Sequence, residues 1–159
     1  MKIAALIWTY NPSINSLSKV VKSVTKQVDL IIMVDNGSKN FEEIKEKIKK
    51  ITSKVFFIQI GYNSGVHAIK VGINYALLRG VKYILILDQD TIVTSKKAVP
   101  MALDLFKKFS KDVAVVHLES ENKPYLFKES DHYIIFSGSI IRAYIFKFHP
   151  SIKLREEFF

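Results

Sequence analysis

The hydrophobic positions of this chain switch repeatedly between a strand-like and a helix-like period. Ile3 to Trp8 is a continuous apolar run, the pattern of a strand buried on both faces. Asn11-Pro12-Ser13 then marks a turn, with Ser13 or Asn15 placed to cap a helix. Leu17, Val20, Val21, Val24 and Val28 follow at three- and four-residue spacing, which predicts one core-facing stripe. Leu30 to Val34 reads as a second strand, closed by Asp35-Asn36-Gly37-Ser38. Phe41, Ile44, Ile48 and Ile51 predict a second amphipathic helix with a lysine-rich outer face. Val55 to Ile60 is the third strand, Gly61 to Gly65 a loop, and Val66 to Leu78 a helix stopped by Gly80. Tyr83 to Leu87 is the fourth strand.

Four strand-then-helix units in succession imply an α/β domain: a Rossmann-like, mostly parallel sheet with helices on both faces. Each strand exits into a polar cluster. Thr9, Tyr10 and Asn11 follow the first, Asp35 to Ser38 the second, Asn63 to Gly65 the third, and Asp88 to Thr91 the fourth. Open α/β sheets bind ligands at the carboxyl ends of their strands, so four clusters on one rim amount to a site. Beyond Thr91 the pattern changes. Ala98, Ala102, Leu105, Phe106 and Phe109 predict a helix, and Val113 to Leu118 a short strand. Glu119 to Asp131 reads as a polar connection and Tyr133 to Phe136 as a strand. Ser137-Gly138-Ser139 is expected to be a tight turn, and Ile140 to Phe148 an apolar stretch with a short helix.

The fourth cluster carries the sharpest chemistry. If the strand continues through Asp88-Gln89-Asp90, alternation points both carboxylates the same way. Two like charges held together favour a cation between or beside them, and a hard divalent ion completed by substrate phosphates answers that demand. The alternative is an exposed turn, where Asp is common.

Composition narrows the picture. At 159 residues with 48% hydrophobic and 25% charged side chains, the chain suits one globular domain. With no cysteine, disulfides and thiolate metal sites are excluded. The apolar start, Met1 to Trp8, loosely mimics a signal peptide, but Thr9-Tyr10-Asn11-Pro12 interrupts it before a cleavage site. No apolar stretch has transmembrane length, so the expected location is cytoplasmic. The net charge of +9 includes clusters at Lys96-Lys97 and Lys107-Lys108-Lys111, which suit an anionic substrate or the inner face of a membrane. No nucleic-acid-binding motif accompanies the charge, and nucleic acid is not the expected partner. His67, His117, His132 and His149 lack metal-ligand spacing.

The set Thr9-Tyr10-Asn11-Pro12, Val34-Asp35-Asn36-Gly37-Ser38, Asn63-Ser64-Gly65, Gly72-Ile73-Asn74-Tyr75-Ala76 and Leu87-Asp88-Gln89-Asp90-Thr91 resembles the family 2 glycosyltransferases of GT-A fold. The Leu-Asp-Gln-Asp form, with Ser-Gly-Ser downstream, is most similar to the rhamnosyltransferase-like branch. The resemblance runs in order from near residue 3 to the end and describes a single GT-A domain. Residues 1–94 would form its nucleotide-sugar half and residues 95–159 a shortened acceptor half.

The resemblance implies an inverting transferase that takes a nucleotide-diphosphate sugar, with dTDP-rhamnose as a candidate donor. The acceptor would be a cell-surface glycan or a lipid-linked one. Thr9, Tyr10 and Asn11 would line the base and ribose pocket, with Tyr10 offering a stacking face. Asp35 would accept hydrogen bonds from base or ribose, although Asp35 to Ser38 is also a plain turn sequence. Asn63 and Gly65 would bring an amide and close backbone to the nucleotide. Lys70 faces the diphosphate in one reading and solvent in the other. Asp88 and Asp90, with Gln89 between them, would hold Mg2+ or Mn2+ against the diphosphate.

In relatives the general base lies just after a motif like Arg155-Glu156-Glu157-Phe158-Phe159, where this chain stops. Three readings follow: a fragment of a longer enzyme, a donor-binding module without turnover, or a protein whose base comes from another subunit. Phe146, Phe148, Phe158 and Phe159 would be core, or a patch that pairs two copies. A sugar nucleotidyltransferase is the runner-up. It would need a glycine-rich loop where Thr9-Tyr10-Asn11-Pro12 stands.

Overall fold

The computed structural model describes residues 3–109, 114–118 and 137–148. The connection expected over 119–131, the strand at 133–136 and the motif at 155–159 lie outside these residues, as do Val113, His132 and His149.

Six strands form one sheet: β1 (Ile3–Thr9), β2 (Leu30–Asp35), β3 (Val55–Gln59), β4 (Tyr83–Leu87), β5 (Val115–His117) and β6 (Ser139–Arg142). Their order is β3-β2-β1-β4-β6-β5. The first four are mutually parallel, and β6 runs antiparallel between β4 and β5. Helices α1 (Ile14–Val24), α2 (Phe41–Lys49), α3 (His67–Leu78), α4 (Ala98–Lys108) and α5 (Tyr144–Phe148) complete the domain.

Alternation along β1 sorts the helices. Ile3, Ala5 and Ile7 face a core built with Leu17, Val20, Val21 and Val24 of α1, Ile44 and Ile48 of α2, and Val99, Ala102 and Phe106 of α4. Ala4 and Leu6 face the other core, built with Ala68, Ile69, Ile73 and Ala76 of α3 and flanked by Ile145 and Phe146 of α5. Both faces of the sheet are therefore covered, which is why its central strands are apolar without interruption. Each fully buried Leu or Ile contributes about 1.5–3 kcal/mol by leaving water. Closest approach occurs at Gly72 of α3, where a Cβ would collide with the Leu6 side chain. A glycine there lets the helix settle onto β1.

Several expectations change. Ser13 occupies the N-cap of α1 without a side-chain capping bond, and Asn15 lies inside the helix. Val28 is buried but sits beyond the helix end. The apolar stretch from Ile140 holds the expected short helix at Tyr144–Phe148 but opens as a strand, because Ser139 to Arg142 pair with β4 and Ser139 to Ile141 with β5. Of the residues whose spacing predicted α4, Leu105 and Phe109 are 42% and 47% exposed, while Val99, Ala102 and Phe106 take the inward face. The fourth strand ends at Leu87, so strand alternation is not what brings Asp88 and Asp90 together.

Candidate functional site

From β1 the chain crosses to β2 and β3 on one side, while β4 lies on the other, so β1 and β4 flank the switch point of the sheet. Ile7 pairs with Leu87 at their carboxyl ends. Trp8 is the penultimate residue of β1 and Tyr10 lies just past its end, while Asp88 to Asp90 follow β4. Two hydrogen bonds cross this gap. The Trp8 indole N–H donates to Asp88 Oδ1 over 2.9 Å, and the Tyr10 backbone N–H donates to Gln89 Oε1 over 2.8 Å.

Asp88 to Thr91 form a turn, with the Thr91 N–H donating to the Asp88 carbonyl at 3.2 Å. Ser137 holds this turn from β6's side. Its Oγ accepts the Asp88 N–H at 3.2 Å and shares a hydrogen bond with Thr91 Oγ1 at 2.8 Å. Asp88 is half-buried and Asp90 is exposed. Asp88 Oδ2 and the whole Asp90 carboxylate have no hydrogen-bond or ion-pair partner among the described residues.

A second layer stiffens the neighbouring rim. Asp35 is fully buried. Its Oδ1 accepts from Thr9 Oγ1 at 3.0 Å, and its Oδ2 accepts from the backbone N–H groups of Gly37 and Ser38 at 3.1 and 2.8 Å. Asn36, also fully buried, reaches the third loop: its amide donates to Asn63 Oδ1 at 2.8 Å. Its Oδ1 accepts from Ser64 N–H at 2.7 Å and from Ser64 Oγ at 2.6 Å. Gly37 sits at φ +91° with Tyr62 backbone 2.7 Å from where a Cβ would stand, so only a glycine allows so close an approach of the two loops at this point.

The result is a cleft of about 610 Å³ lined by Trp8, Tyr10, Asn63, Gly65, Asp88, Gln89 and Asp90. Six of the nine residues singled out in the sequence line it. Thr9, Asn11 and Asp35 do not. Thr9 and Asp35 face each other inside the fold. Asn11, at φ 44°, is tied by its N–H to Ser38 Oγ and by its Oδ1 to the Lys39 N–H. Lys70 is exposed and outside the lining. Trp8 is the lining residue that the sequence reading missed. Its signal was an indole N–H on a half-buried side chain, a donor that requires an acceptor.

Among the described residues no Lys or Arg lines the cleft, and its charged groups are Asp88 and Asp90. Among the described residues no group of three or more His, Asp or Glu side chains is placed to hold a metal ion. The donor set is instead two carboxylates with three oxygens that have no partner among the described residues. That suits a hard cation whose remaining ligands are water and substrate oxygens.

Residues 5–155 match the sequence profile of a family described as Glycosyl transferase family 2. The chain belongs to that family. It is 35% identical over 95 residues to the dTDP-rhamnosyl transferase RfbF of Shigella flexneri, covering 59% of this chain and 31% of that protein. The structure of S. aureus TarS 1-349 in complex with UDP superposes with a TM-score of 0.73 at 21% identity, covering 99% of this chain and 51% of that one. The mannosyltransferase PcManGT of Pyrobaculum calidifontis, in complex with GDP-Man and Mn2+, gives 0.66 at 13% identity, covering 76% and 36%. These structures are GT-A glycosyltransferases, and the GT-A fold expected from the sequence is the one observed. This family 2 chain spans about a third of the rhamnosyl transferase and about half of the TarS chain.

Proposed function

We propose that the cleft binds a nucleotide-diphosphate sugar and that the protein transfers the sugar, with inversion, to a glycan or lipid-linked acceptor. dTDP-rhamnose is the favoured donor, on the strength of the RfbF likeness. One observation carries the reading: the Asp88-Gln89-Asp90 turn stands across the switch point from Trp8 and Tyr10, around a cleft of about 610 Å³.

Asp88 and Asp90 would hold Mg2+ or Mn2+, consistent with the Mn2+ complex of PcManGT. When bound, such an ion offsets the negative charge of the diphosphate and of the leaving nucleotide. Asp90, exposed and unpartnered, is the stronger ligand candidate. Asp88 is oriented by Trp8 and Ser137. Tyr10, 42% exposed, offers its ring to the base. Asn63 and Gly65 present an amide and backbone to the nucleotide. Thr9, Asn11 and Asp35 belong to the nucleotide end by fixing the loop that carries it. Residues 1–94 form the donor half, and residues 95–159 contribute to the acceptor half.

Trp8 is the single tryptophan and lines the cleft, so its fluorescence reports binding. Titration with dTDP, UDP and GDP, with and without Mn2+, should show metal-dependent quenching that is tightest for dTDP and lost in Asp90→Ala. Sugar transfer from dTDP-rhamnose is then assayed on the same chain. Metal-independent binding, or none, would count against the proposal. Metal-dependent binding without transfer would support a donor-binding module instead.

A further inference from the structure

The four parallel strands send their carboxyl ends to the donor cleft, so the C-termini of α1 and α2 gather on the opposite rim. There a hollow of about 620 Å³ is lined by Lys22, Lys26, Lys47 and Lys50 with Thr25 and Ile51. No carboxylate lines it, and none of the four lysines makes an ion pair among the described residues. Helix macrodipoles account for part of this. Lys22 and Lys47 lie in last turns, where a cation is favourable. Lys26 and Lys50 lie past the helix ends. The last carbonyls of α1's exit are already served by Lys54, whose Nζ donates to Thr25 O and Val28 O at 3.1 Å each. Four cations around one hollow repel one another, and an anionic partner relieves that repulsion.

A second feature adjoins the same rim. Met101, Leu105 and Phe109 recur at four-residue spacing on α4 and are 63%, 42% and 47% exposed. The start of α4 is fastened to the exit of α1. Gln27 donates its amide to Ser95 O at 3.1 Å and accepts the Val99 N–H at 3.2 Å. Its other end lies at the amino end of β4, where Arg142, paired with Tyr83, donates to the Phe106 carbonyl at 2.8 Å. Lys97 and Lys108 border the stripe, and the Lys108 ammonium stands 5.4 Å from the Phe109 ring centroid. The one acid on this helix, Asp104, is paired with Lys107.

We propose that this rim, the lysine hollow together with the α4 stripe, docks the protein on an anionic lipid surface. Charge alone would equally suit a polyanion in solution. A row of large apolar side chains bordered by lysines is what distinguishes a bilayer interface, where apolar groups enter and ammonium groups stay with the headgroups. The inference is independent of the donor chemistry at the other rim.

The test is co-sedimentation of the 159-residue chain with phosphatidylcholine vesicles that contain or lack phosphatidylglycerol. Binding only to the anionic vesicles, weakened by salt, is expected. Lys47→Ser with Lys50→Ser should weaken it by about fivefold per lysine. Met101→Gln with Leu105→Gln should weaken it several-fold without changing its salt dependence. These exposed variants should leave Trp8 quenching by nucleotide unchanged, which shows that the fold and the cleft are intact. Equal binding to neutral vesicles, or no vesicle binding at low salt, would overturn the proposal. So would lysine-dependent binding of an RNA homopolymer in place of vesicles, or light scattering that shows the stripe only pairs two copies.

Discussion

The indole N–H of Trp8 donates to Oδ1 of Asp88 across 2.9 Å, joining two residues 80 positions apart in the chain. The bond spans the switch point of the sheet and uses one carboxylate oxygen while leaving the other open. Removing the donor while keeping an aromatic ring isolates its effect. Trp8→Phe should weaken Mn2+ binding by about tenfold, the usual scale for a group that orients a ligand. Calorimetric titration of Mn2+ in the presence of dTDP measures this, with metal-free nucleotide binding little changed. An unaltered Mn2+ affinity would show that Trp8 only packs.

Asp90 is the exposed carboxylate of the turn and has no partner to lose among the described residues. Asp90→Ala should therefore leave stability within about 0.5 kcal/mol. It should weaken metal-dependent nucleotide binding by about tenfold or more. A pair of measurements, urea unfolding and fluorescence titration, checks both halves. A large loss of stability would mean that the carboxylate has a structural role.

Asn36 ties the second loop to the third through three hydrogen bonds. Asn36→Ala should cost about 1–3 kcal/mol, because it removes three hydrogen bonds made by a fully buried side chain. Its partner Asn63 lines the cleft, so nucleotide affinity should fall along with the urea midpoint. Asn36→Asp keeps the acceptor and should retain more of both.

At Gly72 two effects compete. Alanine improves helix propensity by about 1 kcal/mol, but its Cβ would meet fully buried Leu6. Overpacking costs about 1–3 kcal/mol where the neighbour cannot withdraw. Gly72→Ala should therefore lower the melting temperature, and in a Leu6→Ala background, where the colliding side chain is absent, the same change should cost little or nothing.

His117 titrates below the ordinary histidine value of 6.5, because burial disfavours its charged form. Its ring Nδ1 lies 3.0 Å from Ser139 Oγ, and a Cβ at Gly138 would stand 3.4 Å from the ring. With the folded pKa depressed, the unfolded chain binds more protons below 6.5. This group's contribution is thus complete above that pH and is lost as pH falls through the folded value. His117→Gln should flatten the dependence of the urea midpoint over that acidic window.

The sheet was readable because its central parallel strands β1, β2 and β4 are covered on both faces and are therefore apolar runs of strand length. Helices α1 and α2 were readable from their stripes, and α3 as the segment stopped by Gly80. The last third was harder. Ile140-Ile141 is as compatible with a helix as with a strand, and only pairing to both β4 and β5 decides the matter. The spacing of Ala98, Ala102, Leu105, Phe106 and Phe109 showed a helix, but an amphipathic pattern records which residues are apolar and not how much of that face finds a cover.

The same division holds at the site. Local sequence determined which residues stand at strand exits, because strands must end in groups that satisfy their free backbone, and so the clusters at 9–11, 35–38, 63–65 and 88–91 were visible in advance. What each does there was settled only by three-dimensional neighbours. Asp35 and Thr9 turn inward to each other, Trp8 comes from the end of an apolar run to hold Asp88, and Ser137 reaches the turn from 46 residues away. A hydrogen bond depends on distance in space, and the order β3-β2-β1-β4, which places residue 8 beside residue 88, is a property of the folded sheet.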